Sequence, residues 1–170
     1  MMELRKLGLA DAPEFRAIRL AALRDHPVDF GSEFAIEAAL PLAHFVVQLA
    51  DNHVTGAFLD GQLVGIIALE FRSRAKERHR AFLWGVYVRP QARGRGVAAP
   101  LLDAALAAAF GVVEQVELGV RVGNAAAEAL YQSRGFMRYG IERNTYRVDG
   151  VTYDDALMVV FRGGVVAAKS

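Results

Sequence analysis

A run of almost wholly apolar residues, Ala81 to Val88, stops at Arg89-Pro90, and the chain then passes through Gln91-Ala92-Arg93-Gly94-Arg95-Gly96 into an Ala/Leu-rich segment. The apolar run reads as a strand covered on both faces. Pro90 disfavours its continuation. From Val97 to about Phe110, Leu101, Leu102, Ala105, Leu106 and Ala109 share one face of a helix. A buried strand that feeds a glycine loop and then a helix is a scaffold for holding an anion. Gly94 and Gly96 remove side chains where the backbone turns, so amide N–H groups can approach a ligand closely. Those amides and the helix N-terminus favour a phosphate or pyrophosphate, and Arg93 and Arg95 add positive charge.

Three other readings of this loop compete. A Walker loop is excluded, because no Gly-Lys-Ser/Thr follows. A dinucleotide fingerprint is formally matched by Gly94-x-Gly96-x-x-Ala99, with Glu114 or Glu117 about twenty residues on. However, five residues separate Val88 from Gly94, where that fingerprint wants its first glycine at the strand end. A plain tight turn is the third reading, and the loop alone does not separate these.

The remaining chain supplies context. Residues 2–7 suit a short first strand. Asp11-Ala12-Pro13-Glu14 reads as a helix start, with Asp11 as N-cap and Glu14 closing a capping box. Phe15, Ile18, Ala22 and Leu23 follow at helical spacing, up to Pro27. Residues 32–50 suggest one or two helical pieces broken at Pro41. Val54 to Leu59 and Leu63 to Phe71 flank Asp60-Gly61, a hairpin signal. Val116, Leu118, Val120 and Val122 alternate as in a strand, Ala125 to Ser133 suits a short helix stopped near Gly135, and strands over 137–148 and 151–161 meet at Asp149-Gly150. This order predicts one α/β (α+β) domain over 1–170, a mixed, mostly antiparallel central sheet of six to seven strands with helices on both faces.

The second informative stretch is Val122-Gly123-Asn124-Ala125-Ala126-Ala127-Glu128-Ala129-Leu130-Tyr131-Gln132-Ser133-Arg134-Gly135-Phe136. Together with Gln91-x-x-Gly94-x-Gly96, about thirty residues earlier and with one strand between, it resembles the GCN5-related N-acetyltransferase (GNAT) superfamily. The detailed match covers about residues 81–136, and the element order fits the whole chain.

The resemblance implies an acetyl-CoA-dependent N-acetyltransferase, with acetyl-CoA as cosubstrate and no metal. It implies cofactor contacts through the backbone of Arg93, Gly94, Arg95, Gly96, Val97 and Ala98, through the strand end Val86 to Val88, through Asn124 and through Tyr131. Val88 is the expected donor to the thioester oxygen. Asn124 equally suits a helix N-cap. Tyr131 is expected to protonate the departing thiolate, and the competing reading is a core aromatic. Pro100, in the first turn of the cofactor helix, predicts a slightly altered helix start, since early N–H groups have no partner within a helix.

The chain has no cysteine, so transfer is expected to be direct rather than through an acyl-cysteine. An alkyl ammonium must lose a proton before it attacks. Glu70 is the expected base, against the plainer reading of a solvent-facing strand residue. His79 reads as solvated in the charged hairpin, and His26, His44 and His53 show no metal spacing. The basic segment Arg72, Arg74, Lys76, Arg78, His79, Arg80 reads as a solvated hairpin tip, with an anionic acceptor, CoA phosphates or RNA as competing partners. The resemblance points to Pro27 to Phe34 and to Tyr153, Asp154 and Asp155 for the acceptor pocket, with the acidic pair attracting a cationic amine. The acceptor is expected to be a small-molecule or peptide amine. A non-catalytic acyl-CoA-binding module is the alternative.

A net charge of +1 gives no global reason to expect nucleic acid or acidic membranes as partners. No apolar run is long enough for a membrane helix, and the first fifteen residues lack a secretory signal, so a cytoplasmic location is expected. Relatives of the family often dimerise, and the apolar C-terminal strands offer a surface for a homodimer.

Overall fold

A computed structural model of the protein describes residues 1–164; the last positions of the expected domain, 165–170, lie outside the described residues. The elements run β1 (Met2–Lys6), α1 (Ala12–Asp25), α2 (Phe34–Ala38), α3 (Leu42–Asp51), β2 (His53–Leu59), β3 (Gln62–Phe71), β4 (Arg80–Val88), α4 (Ala98–Phe110), β5 (Gln115–Arg121), α5 (Ala125–Gln132), β6 (Met137–Val148) and β7 (Val151–Phe161). The seven strands form one open sheet in the order β1-β2-β3-β4-β5-β7-β6. Every neighbouring pair is antiparallel except β4 and β5. That one parallel pair needs a crossover, and α4 supplies it.

Each face of the sheet carries a core. On one side α4 buries Leu101, Leu102, Ala105, Leu106 and Ala109 against Ile67, Leu69, Leu83 and Val116, the face that helical spacing predicts. Tyr131 and Phe136 extend this core under α5. On the other side α1 and α3 bury Phe15, Ile18, Ala22, Phe45 and Leu49 against Val54, Ile66 and Tyr87. Each such leucine or phenylalanine contributes about 1.5–3 kcal/mol by leaving water. The hairpins turn at Asp60-Gly61 and Asp149-Gly150, where the sequence places them. α5 ends with Phe136 N–H donating to the Tyr131 carbonyl at 3.2 Å, the closing bond of a Schellman turn through Gly135. Pro100 lies inside the first turn of α4, and the helix still starts at Ala98.

Two expectations need correction. Asp11 is the residue before α1, but its carboxylate makes no cap there. It accepts from Gly8 N–H at 2.7 Å and takes both prongs of Arg5 at 2.8 Å, tying β1 to the helix start instead. The apolar run of β4 is not covered on both faces. Ala81 and Leu83 are buried, whereas Phe82, Trp84, Gly85 and Val86 are only partly covered.

The cause is a β-bulge. The β3–β4 register slips between Ile66↔Tyr87 and Ala68↔Trp84, so two residues, Gly85 and Val86, stand opposite one. Gly85 holds φ +65°, a left-handed conformation that other residues rarely adopt. Because strand side chains alternate with period two, the extra residue inverts the faces beyond it. Leu83 joins the α4-side core before the bulge, and Tyr87 joins the α1-side core after it.

Candidate active site

The bulge opens the sheet. β4 and β5 are hydrogen-bonding neighbours only from Arg80↔Gln115 to Phe82↔Glu117, after which they diverge. β5 stays paired to β7 as far as Arg121↔Asp155, so it is β4 that leaves. The closed end of the fork is clamped by Arg80, which donates through Nε and Nη2 to the two oxygens of Glu117 at 2.9 and 2.7 Å. Arg80 is thus not part of a solvated basic tip. Nor is Glu117 free to meet a ribose, which removes one acid the dinucleotide reading needs.

Between the diverging strands lies a cleft of about 320 Å³. Its floor is Phe82 to Val86 of β4 and Leu118 to Arg121 of β5, and α5 adds Asn124, Ala127, Leu130 and Tyr131. The far wall is the loop Asp29–Ser32 with Arg19, Tyr146 and Asp155. Of the expected acceptor segments, Asp29, Phe30, Gly31, Ser32 and Asp155 therefore reach the cleft. Asp154 does not: alternation along β7 turns it outward, where it binds Arg143 at 2.7 Å and Asn144 N–H at 2.8 Å. Tyr153 sits opposite Tyr146 in the β6–β7 register and does not line the cleft either.

Tyr131 is buried, edge-on to Phe136, and lines the cleft. Burial pushes its phenol well above the ordinary tyrosine value, so it keeps its proton at neutral pH. Asn124 caps α5, its Oδ1 accepting from Ala127 N–H at 3.3 Å. The same side chain lines the cleft, and its amide nitrogen is not used by the cap.

At the fork's open end the chain passes from Val88 through the loop to α4. Gly94 and Gly96 have φ +72° and +71°, with open space where a Cβ would stand. Only the backbone conformation, not crowding, demands glycine here. Among the described residues the amides of Gly94, Gly96 and Val97 donate to no protein acceptor, so three N–H groups are left for a ligand. Arg93 bends back, donating from Nε to the Val88 carbonyl at 3.0 Å and meeting His26 Nε2 at 2.8 Å. These features fit a bound diphosphate.

Glu70 stands apart. β4 lies between β3 and the cleft, and the Glu70 carboxylate is exposed, held by Arg72 at 2.9 Å above a separate recess with Asp51, Asn52 and Trp84. It does not line the cleft between β4 and β5.

Sequence reasoning missed a buried pair behind the far wall. Arg19 of α1 donates to both oxygens of Glu37 of α2 at 3.0 and 3.2 Å, and its guanidinium stacks 5.2 Å from the Trp84 ring centre. The available signal was an arginine on the stripe otherwise formed by Phe15, Ile18, Ala22 and Leu23. The wall is further fixed by Arg121, whose Nε donates to Asp29 at 2.6 Å.

Comparison with known proteins agrees with this geometry. A model of the acetyltransferase (GNAT) family matches residues 15–136. The N-alpha-acetyltransferase RimI of Mycobacterium tuberculosis (strain ATCC 25618 / H37Rv) is 41% identical over 115 residues, which are 65% of this chain and 69% of that protein. The ribosomal-protein-alanine N-acetyltransferase of Brucella melitensis superposes with a TM-score of 0.79 at 28% identity, covering 94% of this chain and 99% of that one. A protein from Salmonella typhimurium solved with its cofactor acetyl-CoA shares the fold, with a TM-score of 0.83 at 20% identity over 100% of this chain and 99% of that one.

Proposed function

The chain belongs to the acetyltransferase (GNAT) family, and from that premise we propose that its acceptor is the α-amino group at the N-terminus of a protein or peptide. The enzyme transfers an acetyl group from acetyl-CoA to an amine. What carries the acceptor assignment is the 41% identity to a relative named for N-alpha-acetylation. The cleft between β4 and β5, walled on its far side by Asp29–Ser32, Tyr146 and Asp155, is where a chain end would enter. The same reading places the enzyme in the cytoplasm, the compartment of acetyl-CoA and of newly made N-termini.

Acetyl-CoA supplies an activated thioester when bound. The protein's own part follows from the fork. The amides of Gly94, Gly96 and Val97, with Arg93, Arg95 and Ala98 around them, grip the diphosphate. The edge of β4 from Val86 to Val88, left without a β5 partner, takes the pantetheine arm as an added strand. Val88 N–H is the donor for the thioester oxygen, where a preset hydrogen bond is worth about 3–4 kcal/mol in the transition state. Asn124 offers its amide nitrogen to the same arm. Tyr131, kept protonated by burial, gives its proton to the departing sulfur.

The test is a panel of acceptors: peptides with free N-termini, the same peptides blocked at the N-terminus but bearing lysine, and small amines including a polyamine. Thiol release reports turnover, and mass spectrometry locates the acetyl group. Acetylation at the α-nitrogen is expected. Preference for the lysine or the small amine, with the α-nitrogen untouched, overturns the acceptor assignment, and cofactor binding without transfer to any amine overturns the enzymatic reading.

A further inference from the structure

We propose that Asp155 is the carboxylate that receives the acceptor's ammonium group and takes its proton. Asp155 lies on β7 opposite Arg121 of β5 and Glu142 of β6, with 6% of its surface exposed, and it lines the cleft. Its Oδ1 has no hydrogen-bond partner among the described residues. A buried, unpaired carboxylate oxygen is costly, and folds retain few of them without a reason. A cation arriving from the cleft is the partner it lacks. Space for the carboxylate depends on Gly119 of β5: a Cβ there would stand 3.0 Å from Asp155 Oδ2.

The groups around Asp155 suit a base better than a fixed ion pair. Burial raises its pKa most, and Glu142 of β6 and Asp29 of the wall raise it further. A hydrogen bond from the Tyr146 hydroxyl of β6 to the carboxylate, and the charge of Arg121 of β5, lower it, but Arg121 is committed to Asp29 at 2.6 Å. The net direction is upward, toward the pKa of an α-ammonium, which at about 8 is lower than that of a lysine by roughly two units. The smaller gap makes proton transfer from an N-terminus easier than from a lysine. In this respect the inference rests on the acceptor proposed above.

Asp155 takes one proton from R–NH3⁺, and the freed nitrogen lone pair forms the C–N bond to the carbonyl carbon. The C–S bond breaks with its electron pair on sulfur. Tyr131 gives sulfur a proton, and the second proton leaving nitrogen restores the phenol. Asp155 passes its proton to solvent, so one proton is released per turnover.

Asp155→Asn in the full chain keeps the shape and removes the base. With an N-terminal peptide at pH 7, kcat/KM is expected to fall by at least about a hundredfold, the lower end for a general base. The loss should shrink by about tenfold by pH 9.5, because the free-amine fraction of an α-amine rises by that factor. Calorimetry on the protein without acetyl-CoA should show peptide affinity weakened, with acetyl-CoA affinity unchanged. A loss that is constant with pH, or activity within about threefold of the parent, overturns the proposal. If the asparagine variant does not fold, Gly119→Ala, which crowds the carboxylate from the opposite strand, must weaken peptide binding while sparing acetyl-CoA; normal peptide binding there overturns it equally. If the parent enzyme proves to acetylate another amine, the acceptor assignment fails and the same pH comparison is run on that amine.

Discussion

Arg80 and Glu117 form a two-pronged ion pair, at 2.9 and 2.7 Å, at the point where the parallel strands β4 and β5 close. Beyond it β4 and β5 separate, and the cleft lies in the gap. Gln115 Nε2 adds a third hydrogen bond to Glu117 Oε1 at 2.8 Å. The pair is half-sheltered rather than buried: the Arg80 side chain is 32% exposed and that of Glu117 12%.

Removing one partner strands the other charge between two strands. Arg80→Ala is expected to destabilise the fold by about 1.5–3 kcal/mol, the range for hydrogen bonds to charged groups. In a chain of this size that lowers Tm by roughly 2–4 °C per kcal/mol, measurable by calorimetry. Glu117→Gln keeps one accepting oxygen but turns the other into a donor facing Arg80, so it should also destabilise the fold.

Gly85→Ala tests the bulge. The added Cβ meets nothing closer than 3.8 Å, so crowding is not the issue. The backbone at φ +65° is, and an L-residue there costs about 1–2 kcal/mol. If the strand escapes the strain by straightening, β4 moves toward β5 and the gap narrows. Acetyl-CoA affinity and turnover should then fall together, alongside the loss in Tm.

Much of this architecture was legible in the sequence, and what was missed has a common cause. The buried face of α4, the Asp-Gly hairpins and the stop at Gly135 are local: period 3.6, turn chemistry and capping act within a few residues. The bulge at Gly85 was not legible, because one glycine in an apolar run does not reveal a register slip; that depends on β3 across the ladder. Arg80–Glu117 and Arg19–Glu37 join residues distant in sequence, and no local pattern pairs them. Alternation implies that one of Asp154 and Asp155 faces inward, but which one is fixed by the β5 register. That Glu70 lines a separate recess was not legible for the same reason: its strand was identified, while its distance from the cleft depends on β4 lying between.

Tyr131→Phe separates chemistry from binding. The phenol is buried against Phe136, so the ring can stay in place without its hydroxyl. Turnover is expected to fall by about a hundredfold, the low end for general-acid catalysis, while acetyl-CoA affinity changes by less than about threefold. Steady-state kinetics and calorimetry together check it; unchanged kcat would remove Tyr131 from proton transfer.

Gly94→Ala and Gly96→Ala test the anion cradle. Each forces a Cβ into a left-handed backbone at a loop exposed to solvent, and the loop can relieve the strain only by turning its amides. Acetyl-CoA affinity should weaken by about tenfold, equivalent to about 1.4 kcal/mol. The rise in Tm that saturating acetyl-CoA gives by mass action should shrink accordingly, at little cost to the Tm of the protein alone.

Asp155 links function to stability with a definite sign. Its carboxyl is harder to ionise in the folded protein than in the unfolded chain, because burial and nearby Glu142 raise its pKa. The folded state therefore binds this proton more tightly, and stability from this group is greatest below the unfolded-state pKa and declines as pH rises toward the folded one. Asp155→Asn removes the charge that must be buried, so at pH 7–8 the variant is expected to be more stable than the parent. As pH falls the parent's carboxyl takes up its proton before the unfolded chain does, and the difference should shrink. Thermal melts of both proteins from pH 4 to 8 check this; a variant less stable at neutral pH would mean that Asp155 is held by partners rather than kept unpaired for the acceptor.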